Sequence, residues 1–246
     1  MFSLYQTTSM IIHLIAGPRN ISTALMYSFA QRPDTTVIDE PFYGFYLRHT
    51  GIEHPGRDEI MESMEKDPQK IFRQIEAEEQ KKGIVFVKNM GHHLQGYDYR
   101  PIINYQTIFL IRDPGQMLVS YAKVRDLPTL DDIGLKFQAE VFEWLRSVGK
   151  VPIVLDGNEV RKNPAGVLSG VCHKLAIPFT DKMLNWPAGP IPEDGIWARY
   201  WYSNVHQSTG FLPPDSQKTE VPAVLMPVYK KAINYYNLLS THSIKA

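Results

Sequence analysis

Two short stretches carry residue types suited to holding phosphate. The first is GPRNIST, Gly17 to Thr23, which follows the apolar run IIHLIA. A loop between a strand and a helix presents free backbone N–H groups at the positive end of the helix. Gly17 permits close approach. Arg19 supplies a planar fork that grips phosphate bidentately, and Ser22 and Thr23 add hydroxyl donors. No Lys precedes the Ser–Thr pair and no second Gly is present, so the loop does not specify an ATP–magnesium site. On its own it is equally well read as a surface turn with a serine helix cap. The second stretch is IFLIRDPGQMLVSYAKV. Arg112 closes its apolar run, and Ser120 lies about two turns into a helix opened by Asp113-Pro114. Arginine and hydroxyl make a second clamp. The alternative is an Arg112–Asp113 ion pair with Ser120 packed in the helix. Proton-transfer candidates lie after two further apolar runs: Glu40 in VIDEPFYGF, and Lys88, His92 and His93 in VKNMGHH. The plainer readings are a loop carboxylate capping a helix and ordinary loop histidines. The histidine pair lacks a third ligand at metal-binding spacing.

The elements that must position these residues follow from periodicity. Ile11–Ala16, Thr36–Ile38, Ile84–Val87, Thr107–Ile111 and Val151–Leu155 read as short buried strands. Ser22–Gln31 and the polar Pro68–Lys82 read as helices, the latter exposed. Ile133, Phe137, Val141, Trp144 and Val148 mark one stripe of a long helix. Strands alternating with helices predict an α/β fold, a parallel sheet with helices on both faces and ligands beyond the carboxyl ends of the strands. After Pro178 the composition changes to Pro, Gly and Trp, and a final helix is expected over Val221–Leu239, with Pro227 as a candidate kink. In the aromatic cluster Trp197, Tyr200, Trp201 and Tyr202, packing is the better reading for the tryptophans, other members are candidates to stack on adenine or wall a substrate pocket, and Ser208 to Gly210 reads as a candidate lid. One domain, 1–246, is expected: a nucleotide-binding core over 1–179 and a cover with a helix over 180–246.

In this context GPRNIST resembles the 5′-phosphosulfate loop of the sulfotransferases, and RDPGQMLVS resembles their 3′-phosphate motif with the same Arg-to-Ser spacing. The resemblance spans Ile11 to Phe179. It implies a three-layer P-loop-type fold and the co-substrate 3′-phosphoadenosine 5′-phosphosulfate (PAPS), with 3′-phosphoadenosine 5′-phosphate (PAP) as product. It places Arg19, Asn20, Ser22 and Thr23, with Gly17 and Pro18 of the same loop, at the 5′-phosphate, and Arg112 and Ser120 at the 3′-phosphate. Arg19 stands where the loop lysine is usual, and the RKGxxG segment of cytosolic members is absent. Glu40-Pro41 resembles the Glu-Pro of carbohydrate-type members, where the glutamate is the expected base. Lys88 to His92 loosely resembles the Lys-Thr-His of cytosolic ones, so the expected catalytic set is Glu40, Lys88 and His92. The C-terminal region resembles proteins labelled branched-chain aminotransferase-like, without a lysine context for that chemistry.

Bulk composition bounds the partners. The 246 residues are 43% hydrophobic and 21% charged, with 26 basic and 26 acidic residues. Zero net charge excludes a global basic field for nucleic acid, so an anion must be met locally. The single cysteine, Cys172, forbids an internal disulfide. No apolar run is long enough to span a membrane. A cytoplasmic protein without a metal, acting on a small-molecule or carbohydrate acceptor, is the expectation. An NTP-dependent kinase and a non-catalytic nucleotide-binding protein are the competing readings.

Overall fold

The computed structural model describes residues 9–124, 127–214 and 219–246. Among the described residues six strands form one sheet: β1 (Met10–Ala16), β2 (Thr35–Asp39), β3 (Ile84–Met90), β4 (Gln106–Ile111), β5 (Ile153–Asp156) and β6 (Ser243–Ile244). Their order is β2-β3-β1-β4-β5-β6, and every pairing is parallel. The chain leaves β1 toward β2 and β3 on one side and continues into β4, β5 and β6 on the other. The strand order therefore reverses at β1, and parallel α/β sheets bind ligands beyond the carboxyl ends of the strands at such a point.

Seven helices have eight residues or more among the described residues: α1 (Ser22–Ala30), α2 (Tyr43–Thr50), α3 (Pro68–Lys82), α4 (Pro114–Tyr121), α5 (Leu135–Ser147), α6 (Pro164–Lys174) and α7 (Met226–Ser240). Alternate strand residues point to opposite faces. Ile12, Leu14 and Ala16 join α1 and α6 in one core, while Ile11 and Ile15 join α3, α5 and α7 in the other. This is the three-layer α/β arrangement expected from the sequence.

Several boundaries differ for physical reasons. The stripe from Ile133 to Val148 is broken, because Gly134 adopts φ 69° and separates Leu130–Ile133 from α5. Val148 lies beyond the end of α5 and is exposed. Helix α3 is exposed on one side only, since Ile71, Phe72 and Ile75 are buried. Val151 is 87% exposed and precedes β5 rather than beginning it. Pro227 sits in the first turn of α7, where its missing N–H costs nothing, and so starts the helix without kinking it. The two-residue β6 extends the sheet beyond what periodicity can reveal.

Candidate functional site

The loop after β1 and the start of α4 are bonded to each other. Arg19 has a left-handed backbone, φ 54°, a conformation unfavourable for a residue with a Cβ. Its carbonyl accepts from Arg112 Nη1, and its own Nε donates to Ser120 Oγ at 3.2 Å. The two clamps read from the sequence are thus one assembly. Helix α4 holds Ser120 in place through its cap, Asp113 Oδ1 accepting from Gln116 N at 2.9 Å. Asn20 pins the loop: its Oδ1 accepts from Ile21 N at 2.9 Å, and its Nδ2 donates to Leu110 O at 3.3 Å. Gly17 is buried beneath the loop. With the Gln138 amide in the orientation that satisfies all its neighbours, the Gly17 N–H donates to its oxygen at 3.3 Å, and a Cβ here would lie 2.7 Å from Ile133 O. Close approach is therefore what glycine provides at 17, and the unusual dihedral falls to Arg19.

Beyond the ends of β2 and β3 lies a fully buried ionic cluster. Lys88 Nζ donates to Glu40 Oε1 at 2.5 Å and Asp39 Oδ1 at 2.8 Å, and contacts Tyr202 Oη. Tyr202 Oη lies 2.8 Å from Asp39 Oδ2 and 3.3 Å from Glu40 Oε1, and accepts from Trp197 Nε1 at 3.1 Å. Gly195 N donates to Asp39 Oδ2 at 3.1 Å. Glu40, at φ 41°, donates its N–H to Lys88 O at 2.8 Å, so the strand pairing continues into the site. Burial raises the Glu40 pKa above the ordinary carboxylate value; Lys88 opposes the shift and Asp39 adds to it. Burial opposes the charge of Lys88, but Asp39 and Glu40 outweigh it and hold its pKa up. Burial, with His92, His54 and Lys88 near, keeps His93 well below the usual histidine value. Its Nδ1 lies 3.6 Å from Glu40 Oε2.

Two adjoining cavities open on these groups. One, about 310 Å³, is lined by Arg19, Thr23, Arg112, Ser120, Arg161 and Phe211, among others. The other, about 270 Å³, is lined by Pro18, Ser22, Glu40, His92, His93 and neighbouring aromatic residues. Arg19, Asn20, Thr23, Trp201 and Tyr202 belong to both.

A family model described as a sulfotransferase domain matches residues 10–243. The chain belongs to the sulfotransferase family. That match extends the resemblance expected over Ile11 to Phe179 through the C-terminal cover. A curated relative, branched-chain-amino-acid aminotransferase-like protein 1 of Arabidopsis thaliana, is 37% identical over 233 residues, which are 94% of this chain and 42% of that protein. The chain thus spans less than half the length of the curated relatives it matches. Among solved structures, the sulfotransferase domain of the Synechococcus PCC 7002 olefin synthase superposes with TM-score 0.57 at 17% identity, covering 91% of this chain and 94% of that one. The sulfotransferase domain from the curacin biosynthetic pathway gives TM-score 0.54 at 14% identity, covering 94% and 97%. These likenesses show the sulfotransferase fold.

Within that family fold, each residue singled out in the sequence has a defined place. Pro18, Arg19, Asn20, Ser22, Thr23, Glu40 and His92 line the 270 Å³ cavity, and Arg112 and Ser120 the 310 Å³ one. Lys88 lines neither; it is 0% exposed and stands behind Glu40. Sequence reasoning passed over Tyr43, His54 and Arg161, named Asp39 beside Glu40 without giving it a role, and left Tyr202 between packing and a pocket wall; Tyr202 is buried and lines both cavities. Asp39 adjoins Glu40 and was within reach of the same reasoning, whereas Tyr202 and Arg161 arrive by tertiary folding. Among the described residues no group of three or more His, Cys, Asp or Glu is arranged to hold a metal ion. No helix among them is long and apolar enough to cross a membrane.

Proposed function

We propose that this protein transfers a sulfuryl group from PAPS to a hydroxyl or amine of an acceptor. The observation that carries the reading is the joined clamp of Arg19, Arg112 and Ser120, facing one cavity while Glu40 faces the next. Among the described residues only Nε of Arg19 is engaged, which leaves its Nη groups for an anion. Residues Arg19 to Thr23 suit the 5′-phosphosulfate, and Arg112 with Ser120 suits the 3′-phosphate; Arg161 adds a third cation to that cleft. Such transfer is mostly positioning and charge stabilisation. Arg19 and Arg112 offer positive charge where the departing phosphate becomes more negative. Glu40, with its raised pKa, is suited to take the acceptor's proton. Lys88, behind it, fixes its orientation through the 2.5 Å contact. His92, in the same cavity, supports the acceptor side.

Binding tests the reading directly. A nucleotide phosphorylated at both ends engages both clamps, so PAP raises the melting temperature more than ADP or AMP does, without magnesium. Equal shifts with ADP, or an absolute need for magnesium, overturn it and favour the kinase. Transfer of labelled sulfate from PAPS then separates an enzyme from a nucleotide-binding protein.

A further inference from the structure

We propose that the acceptor is a compact aromatic hydroxy-amine, whose hydroxyl sits between Glu40 and His93 and whose ammonium group is drawn by Glu53 and the aromatic walls. The proposal rests on the reading above, which gives the nucleotide the 310 Å³ cleft and the Pro18–Thr23 side of the 270 Å³ cavity, and leaves the rest of that cavity, from Glu40 to Glu53, to the acceptor.

Size sets the first limit. At about 270 Å³ the cavity lies at the small end of ligand pockets, roughly 300–1,000 Å³. The walls set the second. Tyr43, Tyr121, Trp201 and Tyr202 present rings, joined by Met90 and Val124. Aromatic faces bind aromatic ligands and also attract cations. Charge sets the third. The charged lining residues are Glu40, Glu53 and Arg19, and Arg19 is shared with the nucleotide cleft and bonded to Ser120. Among the described residues the acceptor side therefore carries two carboxylates and no cation of its own. Behind it, one ammonium faces the two carboxylates of Asp39 and Glu40, which leaves the cluster one charge negative. An anionic acceptor meets like charge here, and an ammonium group meets opposite charge.

The seat of the hydroxyl is marked by an unsatisfied atom. His93 is 2% exposed, its Nδ1 has no hydrogen-bond partner, and it lies 3.6 Å from Glu40 Oε2, beyond hydrogen-bonding distance. A buried polar atom left unpaired is costly. A hydroxyl placed there donates to Glu40 and accepts from the His93 N–H, which satisfies both. The same donation prepares the proton that Glu40 removes.

Isothermal titration of the intact chain saturated with PAP decides this with three ring-matched probes: tyramine, 4-ethylphenol and 3-(4-hydroxyphenyl)propionate. Tyramine is expected to bind at least tenfold tighter than the carboxylate, with 4-ethylphenol between them. Glu53→Gln is expected to narrow the amine-to-carboxylate ratio to threefold or less, and the exposed position of Glu53 makes unfolding no explanation. Carboxylate binding as tight as that of the amine, an unchanged ratio in Glu53→Gln, or no binding by any probe overturns the proposal. The PAP melting shift reports separately on the nucleotide reading. Should that shift be absent, the same titrations without nucleotide still decide the acceptor chemistry.

Discussion

In the proposed transfer Glu40 is the residue that takes the proton, and its neighbours set when it is basic. Replacing it by Gln keeps the shape and removes the basicity. Turnover is expected to fall by a factor of about 10² to 10⁴, with PAP affinity unchanged in the same preparation. Because burial raises its pKa, the basic form is lost as pH falls through a value above the usual carboxylate range. The acidic limb of the kcat/KM profile is expected there. Tyr202 acts on that limb through its hydroxyl, since its hydrogen bond lowers the Glu40 pKa. Tyr202→Phe is therefore expected to move the limb to higher pH, whereas a purely packing role leaves the limb in place and alters only stability. The cluster tolerates no loss of its cation. Lys88→Met strands two buried carboxylates and is expected to cost about 3–5 kcal/mol in denaturant unfolding.

At the scale of elements, three strand ends do the positioning. The loop after β1 brings Arg19, the end of β2 brings Asp39 and Glu40, and the end of β4 brings Arg112 into helix α4. Parallel strands with coincident carboxyl ends place these residues together although up to 93 residues separate them, as between Arg19 and Arg112. The loop sits on a floor with no room to spare. Gly17→Ala puts a methyl 2.7 Å from the Ile133 carbonyl, a backbone atom that cannot rotate away. Overpacking of this kind costs about 1–3 kcal/mol. The displaced loop is expected to weaken PAP binding as well, measured by calorimetry on the folded variant. Native-like PAP affinity in Gly17→Ala means the loop is not held by that floor.

Across the whole molecule, the C-terminal segment from residue 180 onward is joined to the site at several points. Residues 180–246 contribute Trp197 and Tyr202 to the core around α1, Gly195 N–H to Asp39, helix α7 against α5, and strand β6 beside β5. Removing them uncovers Lys88, Asp39 and Glu40 and exposes one face of each core. A chain ending at residue 179 is expected to lack a cooperative unfolding transition by circular dichroism and to show no PAP-dependent shift. A cooperative, PAP-responsive fragment shows instead that the first 179 residues fold on their own.

What the sequence determined by itself is local and periodic. Short apolar runs marked five of the six strands, and Asp113-Pro114 marked the start of α4, because burial and capping leave their trace in neighbouring residues. GPRNIST and RDPGQMLVS marked Arg19, Arg112 and Ser120 as candidate clamp residues, because donor side chains grouped at a strand-to-helix turn are visible in a short stretch of sequence. The break at Gly134 went unread because its left-handed backbone is invisible to a hydrophobic stripe. Only the tertiary structure joined Arg19 to Ser120, put Lys88 behind Glu40, turned His93 toward Glu40 and carried Tyr202 across 163 residues to Asp39. Those outcomes depend on which strand ends lie side by side and on how the cover folds back. Ionic and hydrogen-bond partners distant in sequence leave no periodic signal, so their pairing is decided when the sheet closes and water is excluded from the cluster.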